Sequence, residues 1–306
     1  MAEQPKVGDN AVSHAERLAR RERRRRQLHR RRIVAACALA FGLAAVVAVF
    51  AGVLGSGHRS GRGRTSRRMV AGPVQNATPQ ADWRPHTGPV PILEYHVLGA
   101  PPADAPYPEL YVPRADFSRE MDWLEGNGFQ AVTLEQVEAA WWRGGTLPAK
   151  PVVLSFDDGY RPQFTFALPE LRRHGWAGLL NLKAEGSDLY ESNVEAMIAA
   201  GWQLASHTID HSDLTTLAGA SLEREVTESR QMLRREYGVP VKSFCYPAGR
   251  FDAETIAAVE AAGYTTATTE IRGYASPDHP YELARLEVLG SSGVKGMAGM
   301  LRSYQG

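Results

Sequence analysis

The stretch Val152-Val153-Leu154-Ser155-Phe156-Asp157-Asp158-Gly159 decides the fold of this chain. Its apolar run predicts a strand buried on both faces, as in a parallel sheet, and the glycine marks the turn where the strand ends. In folds built on parallel strands, ligands bind and reactions take place at the carboxyl ends of the strands. The two adjacent carboxylates are therefore candidate functional residues, although Asp-Asp-Gly alone is as typical of a surface turn.

A second polar cluster, Ser206-His207-Thr208-Ile209-Asp210-His211, follows a short predicted strand over residues 202–205. The i, i+4 spacing of the histidines would place both imidazoles on one face of a helical turn, where they can share a cation. One Asp and two His form a ligand set for a divalent transition metal with an open position, which suits Zn²⁺ and also accepts Ni²⁺, Co²⁺ or Mn²⁺. Two exposed loop histidines are the alternative interpretation, and Asp158 at another strand end favours the metal site.

A third turn, Tyr246-Pro247-Ala248-Gly249-Arg250, follows the strand predicted over residues 243–246. This turn could aim the backbone N–H of Tyr246 at an oxyanion, because such donors stabilise the negative charge that develops during acyl transfer. An ordinary tight turn would use the same residue types, so the pentapeptide by itself leaves both interpretations open.

From Pro89 onward, predicted strands and helices alternate, which indicates an α/β domain built as a barrel or as an open parallel sheet. The helix predicted over residues 222–237 shows the basis of these assignments, since Leu222, Val226 and Leu233 lie on one face of it. Besides the strand that ends at Asp157, the predicted strands cover residues 90–97, 129–132, 178–182, 202–205, 243–246, 264–268 and 283–288. The predicted helices cover residues 116–125, 134–142, 162–174, 194–200, 222–237 and 253–262, and a short helix follows the last strand.

The N-terminal part of the chain has the composition of a membrane anchor. Residues 17–32 are mostly arginine, and residues 33–55 contain no charged side chain. That run is long enough to cross a bilayer, since about 20 apolar residues span about 30 Å. A cleaved signal peptide is the alternative, but its apolar core has only about 7–15 residues. The dense arginine block predicts that the N-terminus stays on the cytoplasmic side of the cell membrane.

Four segments follow from this pattern. They are a basic cytoplasmic tail over residues 1–32, a transmembrane helix over 33–55, a flexible stalk over 56–88 and an extracytoplasmic catalytic domain over 89–306. The net charge of +1 hides the asymmetry between the basic N-terminal region and an acidic remainder. We interpret the basic block as a topology signal that contacts anionic lipid, and we expect no nucleic acid as a partner.

The two cysteines do not form a disulfide framework. Cys37 lies in the predicted transmembrane helix and Cys245 lies in the outer domain. The outer domain must therefore be stabilised by its hydrophobic core, and it is large enough to have one.

The three polar clusters resemble successive motifs of the polysaccharide deacetylase family, the metal-dependent carbohydrate N-deacetylases. They are Ser155-Phe156-Asp157-Asp158-Gly159, the cluster over residues 206–211, and Phe244-Cys245-Tyr246-Pro247-Ala248-Gly249. The resemblance implies a distorted (β/α)7-type barrel. It also implies that Asp157 is the general base and that the backbone N–H of Tyr246 and the metal stabilise the tetrahedral intermediate. The metal ligands implied by it are Asp158, His207 and His211.

Two departures from the family pattern require substitutes. The third motif often carries an arginine ahead of its proline, and Arg285 is our candidate to replace it and orient Asp157. The family's usual C-terminal Leu-x-His is missing, because no histidine follows His279. However, Leu93-Glu94-Tyr95-His96 resembles the Tyr-His strand of the subgroup that acts on poly-N-acetylglucosamine, so we assign the general acid to His96. A core histidine at a strand end is the alternative.

The sequence thus predicts a membrane-anchored hydrolase that removes N-acetyl groups from a cell-surface glycan containing N-acetylglucosamine. Tyr160, Tyr246 and Pro247 are its candidate substrate-binding residues, and the cofactor is a divalent metal, with zinc first. Two other functions stay open: a catalytically silent carbohydrate-binding domain, and a metal-dependent hydrolase of another amide or ester.

Overall fold

The computed structural model describes residues 79–304. The predicted cytoplasmic tail, the predicted transmembrane helix over 33–55 and most of the predicted stalk lie outside the described residues. Within residues 79–304, every helix is too short or too polar to span a bilayer.

Seven parallel strands close into a barrel. The first strand pairs with both the second and the seventh, and these two pairings complete the ring. The predicted choice between a barrel and an open sheet is therefore resolved in favour of the (β/α)7 barrel. The strands are β1 (Ile92–Tyr95), β2 (Pro151–Asp157), β3 (Leu179–Leu182), β4 (Gln203–Ser206), β5 (Ser243–Cys245), β6 (Thr266–Arg272) and β7 (Leu283–Glu287).

Three short pairings supplement the barrel. Gln130–Ala131 adds in parallel to the start of β2. Arg84–Pro85 pairs antiparallel with Thr146–Leu147, and Val97–Leu98 pairs in parallel with Tyr111–Val112. The strand predicted over residues 90–97 is therefore interrupted at His96.

Within residues 79–304, seven α-helices lie between the barrel strands and an eighth follows the last strand. Two of the predicted helices, over 162–174 and 222–237, each contain a π-helical turn, at Gln163–Ala167 and Arg224–Glu228. Short 3₁₀ turns occupy Pro108–Leu110, Leu214–Thr216 and Pro247–Gly249. The α-helices are α1 (Arg114–Gly126), α2 (Leu134–Trp142), α3 (Leu168–Arg173), α4 (Glu191–Ala199), α5 (Gly219–Glu223), α6 (Ser229–Tyr237), α7 (Ala253–Ala261) and α8 (Gly293–Met300).

The barrel interior changes from apolar to polar along the strands. The register pairs Ile92 with Val153 and Glu94 with Ser155, and successive residues of a strand point to opposite faces. Ile92 and Val153 belong to one buried apolar cluster. Ser155, Glu94 and Asp157, further along the same faces, are buried polar residues. This alternation places the polar side chains at the carboxyl ends of the strands, as the sequence pattern over residues 152–159 predicts.

Candidate active site

A pocket at the carboxyl ends of the strands brings together most of the predicted site residues. His96 follows β1, Asp157 is the last residue of β2 and Asp158 the first residue after it, and His207 and His211 follow β4. The loop over residues 106–110 also contributes to the pocket wall. The lining residues are His96, Pro106, Tyr107, Glu109, Leu110, Asp157, Asp158, Tyr160, Lys183, His207, His211, Ala248, Arg250, Glu270 and Glu287.

Arg285 on β7 holds Asp157 in place. Its Nη1 lies 3.0 Å from Asp157 Oδ1 and 2.9 Å from Oδ2, and both side chains are buried. Asn181 Nδ2 donates a further hydrogen bond to Asp157 Oδ1 at 2.6 Å. Burial raises the pKa of Asp157, but the guanidinium of Arg285 lowers it more, with smaller contributions from the neighbouring imidazoles and the Asn181 hydrogen bond, so the net pKa lies well below the usual range. The contact that we predicted between Arg285 and Asp157 is present.

Glu94 on β1 is a second buried carboxylate beside the same arginine. Arg285 Nη2 lies 3.1 Å from Glu94 Oε1. Burial raises the pKa of Glu94 well above its usual value, the Arg285 charge opposes this shift, and Asp157 adds to it. One guanidinium therefore faces two carboxylates, a charge arrangement that favours a further positive charge nearby.

His96 lies next to both of these carboxylates. Its Nε2 is 3.8 Å from Glu94 Oε1 and 4.0 Å from Asp157 Oδ2. Gln163 holds the backbone here, because its Nε2 donates to the carbonyls of His96 at 2.9 Å and of Asp157 at 2.6 Å. The imidazole borders the pocket and is therefore a candidate to exchange a proton with a bound molecule.

The three predicted metal ligands converge. The Nε2 atoms of His207 and His211 lie 3.8 and 3.7 Å from the same oxygen of Asp158, Oδ1. All three ligand atoms lie within 4.8 Å of one another. The predicted helical turn, however, is wrong: residues 207–211 form an irregular loop in which Thr208 and His211 have φ values of 64° and 71°. A left-handed backbone cannot continue an α-helix, so the loop and not a helix face brings the imidazoles together.

The protonation of His207 suits a metal ligand. Its Nδ1 lies 2.8 Å from the carbonyl oxygen of Cys245, which can only accept, so Nδ1 carries the proton and Nε2 has a free lone pair. Burial lowers the pKa of His207 to about 4, which keeps the ring neutral at pH 7. Two imidazoles and a carboxylate with one open side fit a divalent transition metal. The hydrogen bond from Nδ1 to Cys245 orients the His207 ring, as hydrogen bonds of metal-bound histidines commonly do.

The third motif differs from its prediction. The backbone N–H of Tyr246 donates to the carbonyl of Thr268 at 3.1 Å, as part of the pairing between β5 and β6. The prediction that this N–H is aimed at an oxyanion is therefore wrong for this structure. Tyr246 and Pro247, which we predicted to bind substrate, are buried and do not line the pocket, whereas Ala248, with a φ of 50°, and Arg250 of the same turn do.

Tyr160, by contrast, lines the pocket as predicted, next to a lysine that sequence reasoning missed. Lys183 Nζ lies 3.3 Å from Asp158 Oδ1 and 5.8 Å from the centre of the Tyr160 ring. Burial and the neighbouring Asp158 raise the pKa of Tyr160, so its hydroxyl stays protonated. The missed lysine follows β3, and its position directly after a predicted strand was the available signal.

Comparison with known proteins gives a consistent family assignment. The sequence model of the polysaccharide deacetylase family matches residues 144–267. The Bacillus subtilis (strain 168) protein YxkH, which is assigned to the polysaccharide deacetylases, is 31% identical over 214 residues, covering 68% of this chain and 74% of that protein. The Escherichia coli (strain K12) poly-β-1,6-N-acetyl-D-glucosamine N-deacetylase is 35% identical over 92 residues, covering 30% of this chain and 13% of that enzyme.

Solved structures share the fold. The Streptococcus pyogenes deacetylase PplD, solved with acetate, aligns with a TM-score of 0.65 at 21% identity, over 70% of this chain and 99% of that one. IcaB from Ammonifex degensii aligns with a TM-score of 0.60 at 22% identity, over 71% of this chain and 99% of that one.

Proposed function

The chain belongs to the polysaccharide deacetylase family, and from that premise we propose that it removes N-acetyl groups from an N-acetylglucosamine polysaccharide with the help of a divalent metal. The observation that carries this proposal is one pocket that contains the arginine-held carboxylate of Asp157, the Asp158–His207–His211 group and the imidazole of His96. A catalytically silent binding domain would have no need to retain all three.

Asp157 is the proposed general base. Its low pKa keeps it ionised at neutral pH, and the contact with Arg285 fixes both oxygens. A carboxylate with a low pKa is a weak base, so it needs a water molecule that is unusually acidic. A divalent cation held by Asp158, His207 and His211 would acidify that water and polarise the acetyl carbonyl.

His96 is the proposed general acid. The leaving amine of an amide must be protonated before the C–N bond breaks, and a histidine can deliver that proton near neutral pH. The imidazole lines the pocket, and its Nε2 lies 3.8 Å from Glu94 Oε1 and 4.0 Å from Asp157 Oδ2. In the proposed reaction, water adds to the carbonyl as it gives a proton to Asp157. His96 gives a proton to the nitrogen as the C–N bond breaks, and acetate and a free amine leave.

Two features support a polymeric N-acetylglucosamine substrate. The relatives include an enzyme named for poly-β-1,6-N-acetyl-D-glucosamine and, at 32% identity over 93 residues, a chitooligosaccharide deacetylase of Sinorhizobium fredii. Tyr107, which is 62% exposed, and Tyr160 offer aromatic surfaces beside the pocket on which sugar rings can stack. We further propose that the domain acts at the outer face of the cell membrane, anchored by the segment over residues 33–55.

Acetate release tests the function. The full chain, stripped of metal by a chelator, is assayed on N-acetylglucosamine oligomers before and after addition of Zn²⁺, Ni²⁺, Co²⁺ or Mn²⁺. We expect activity to return with at least one metal in the parent and to stay absent in His211→Ala. The matched control is His279→Ala, which alters an exposed histidine outside the pocket. Equal activity of the stripped and reloaded parent would contradict the metal requirement.

A further inference from the structure

A second group of ligand-type side chains lies across the pocket from the first. Glu94, His96 and Glu287 have ligand atoms that all lie within 4.8 Å of one another. Glu94 and Glu287 are register partners on the paired strands β1 and β7, so their side chains emerge on the same side of the sheet. His96 follows β1 directly. The group is therefore built by neighbouring strand ends and not by a flexible loop.

The spacing within this group matches that of the proposed metal site. His96 Nε2 lies 3.8 Å from Glu94 Oε1, and the corresponding distances to Asp158 Oδ1 in the first group are 3.8 and 3.7 Å. Two ligand atoms that share a zinc ion at about 2.1 Å each can be about 4 Å apart at most. The pairs His96–Glu94, His207–Asp158 and His211–Asp158 satisfy this limit, so a single ion can reach Glu94 and His96 without a change in the backbone.

Glu94 also lacks hydrogen bonds. It is completely buried, and within residues 79–304 neither of its carboxylate oxygens accepts a hydrogen bond, although Arg285 Nη2 lies 3.1 Å from one of them. A buried carboxylate in this state is unfavourable, and direct coordination of a cation is one way to satisfy it. The lack of a hydrogen bond at either oxygen, and of any partner at Oε2 among the described residues, is an observation separate from the proximity of the three ligands.

Access and charge set the expected affinity. His96 and Glu287 line the open pocket, so an ion from solvent can reach them. The guanidinium of Arg285 beside Glu94 repels a cation, and the first group has the Lys183 ammonium at a similar distance but two imidazole ligands instead of one. The second group is therefore expected to bind more weakly than the first.

We propose that Glu94, His96 and Glu287 form a second, weaker site for a divalent transition metal, and that filling it inhibits the enzyme. An ion on Nε2 of His96 occupies the lone pair that otherwise binds a proton, so the imidazole can no longer deliver that proton to the leaving amine. The inhibition rests on the proposed deacetylase function, whereas the binding of the ion does not.

Metal binding is measured first, because it is independent of any substrate. The stripped full chain is titrated with Zn²⁺ by calorimetry, with a chelator competition for the tight event. We expect two events in the parent, the second at least about tenfold weaker, and a loss of about tenfold or more in the second event alone for Glu287→Gln. Glu270→Gln is the matched control: it removes an acidic side chain from the same pocket but leaves the three ligands in place.

The outcomes separate the two proposals. A retained first event in Glu287→Gln shows that this variant is folded, and His211→Ala should lose the first event and keep the second. A single event in the parent, or equal weakening of the second event by Glu270→Gln and Glu287→Gln, would overturn the second site. In the activity assay, Zn²⁺ beyond the first equivalent should inhibit the parent and Glu270→Gln but not Glu287→Gln. Two binding events without any deacetylase activity would overturn the proposed function and leave the second site standing.

Discussion

Arg285 Nη1 lies within 3.0 Å of both carboxylate oxygens of Asp157, although the two residues are 128 positions apart in the chain. Arg285 Nε also donates to the carbonyl of Thr269 at 2.8 Å, which fixes the guanidinium against β6. The ion pair joins β7 and β2, the two strands that flank β1. Its geometry links the stability of the barrel to the ionisation of the proposed base.

Removing this arginine should affect stability and activity together. Arg285→Met leaves the carboxylates of Asp157 and Glu94 buried without their cation, and breaking a buried ion pair in this way typically costs about 3–5 kcal/mol. We expect a lower free energy of unfolding by chemical denaturation and a large fall in kcat. Arg285→Lys keeps the charge but not the planar guanidinium, so its free energy of unfolding and its kcat should lie between those of the parent and of Arg285→Met. A parent-like stability of Arg285→Met would contradict the role of the ion pair.

Substitutions of the two adjacent aspartates, Asp157 and Asp158, should differ in their effect on metal binding. Asp157→Asn removes the proposed base, and kcat is expected to fall by about 10²–10⁴-fold. Asp158→Asn should lower kcat as well, but it should also weaken the binding of Zn²⁺ to the stripped protein, because Asp158 is a proposed ligand. Calorimetry on both variants makes the distinction. Similar loss of metal affinity in both would mean that the roles assigned to the pair are wrong.

His96 should matter for amides more than for activated esters. An amide needs a proton on its leaving amine, whereas the leaving group of 4-nitrophenyl acetate departs without one. His96→Gln is therefore expected to lower kcat on N-acetylglucosamine oligomers by about 10²-fold or more and to change ester hydrolysis far less. His279→Gln, at an exposed position, is the control. An equal loss on both substrates would indicate a structural role for His96.

Local sequence patterns predicted the alternation of strands and helices and the position of the acidic residues at a strand end, whereas the choice of a barrel came from the family resemblance. The apolar run before Asp157 identifies a buried strand, and strand ends converge in any parallel barrel. Helix α2 matches its predicted bounds because Thr133 and Gln136 form a capping box at its start. The pairing of Arg285 with Asp157 came from the family resemblance, since no local pattern encodes a contact between β7 and β2.

The errors have equally specific causes. The i, i+4 spacing of His207 and His211 suggested a helix, but left-handed residues in the loop produce the same proximity by another route. The N–H of Tyr246 is used by strand pairing, and such pairing depends on the register with β6. Lys183 and Glu94 enter the site through tertiary packing. Strand alternation places Glu94 on an inner face, but it does not reveal which charged side chain lies opposite.

The buried carboxyl group of Glu120 should make the free energy of unfolding depend on pH. This buried residue of α1 accepts a hydrogen bond from Tyr95 at 3.1 Å, and burial raises its pKa from 4.5 to about 7. The folded state then binds a proton more tightly than the unfolded state, so the stability contributed by this group is complete below pH 4.5 and is lost as the pH rises through about 7. Two to three pKa units correspond to about 3 kcal/mol.

We expect Glu120→Gln to remove this dependence. Its free energy of unfolding, measured by urea denaturation between pH 4.5 and 8, should fall less with rising pH than that of the parent. Other buried carboxylates such as Glu138 also have a raised pKa, so the comparison uses the difference between the two slopes. Glu185→Gln, at an exposed position, should keep the parent slope. Identical slopes for the parent and Glu120→Gln would show that Glu120 does not titrate in this range.

Substitution of Gly159 tests whether the turn after the two aspartates has room for a side chain. Its φ of 74° is left-handed, and a Cβ at this position would overlap Ser187 Oγ and lie 2.6 Å from Leu182 Cδ1. Gly186 has a nearly equal φ of 76° but open space around it. Gly186→Ala therefore measures the backbone strain alone, about 1–2 kcal/mol, and Gly159→Ala should cost clearly more. Because Gly159 adjoins Asp158, Gly159→Ala should also lower kcat and Zn²⁺ affinity, whereas Gly186→Ala should keep both at the parent values. If the two variants lose the same free energy of unfolding, the turn at Gly159 can expand around a side chain.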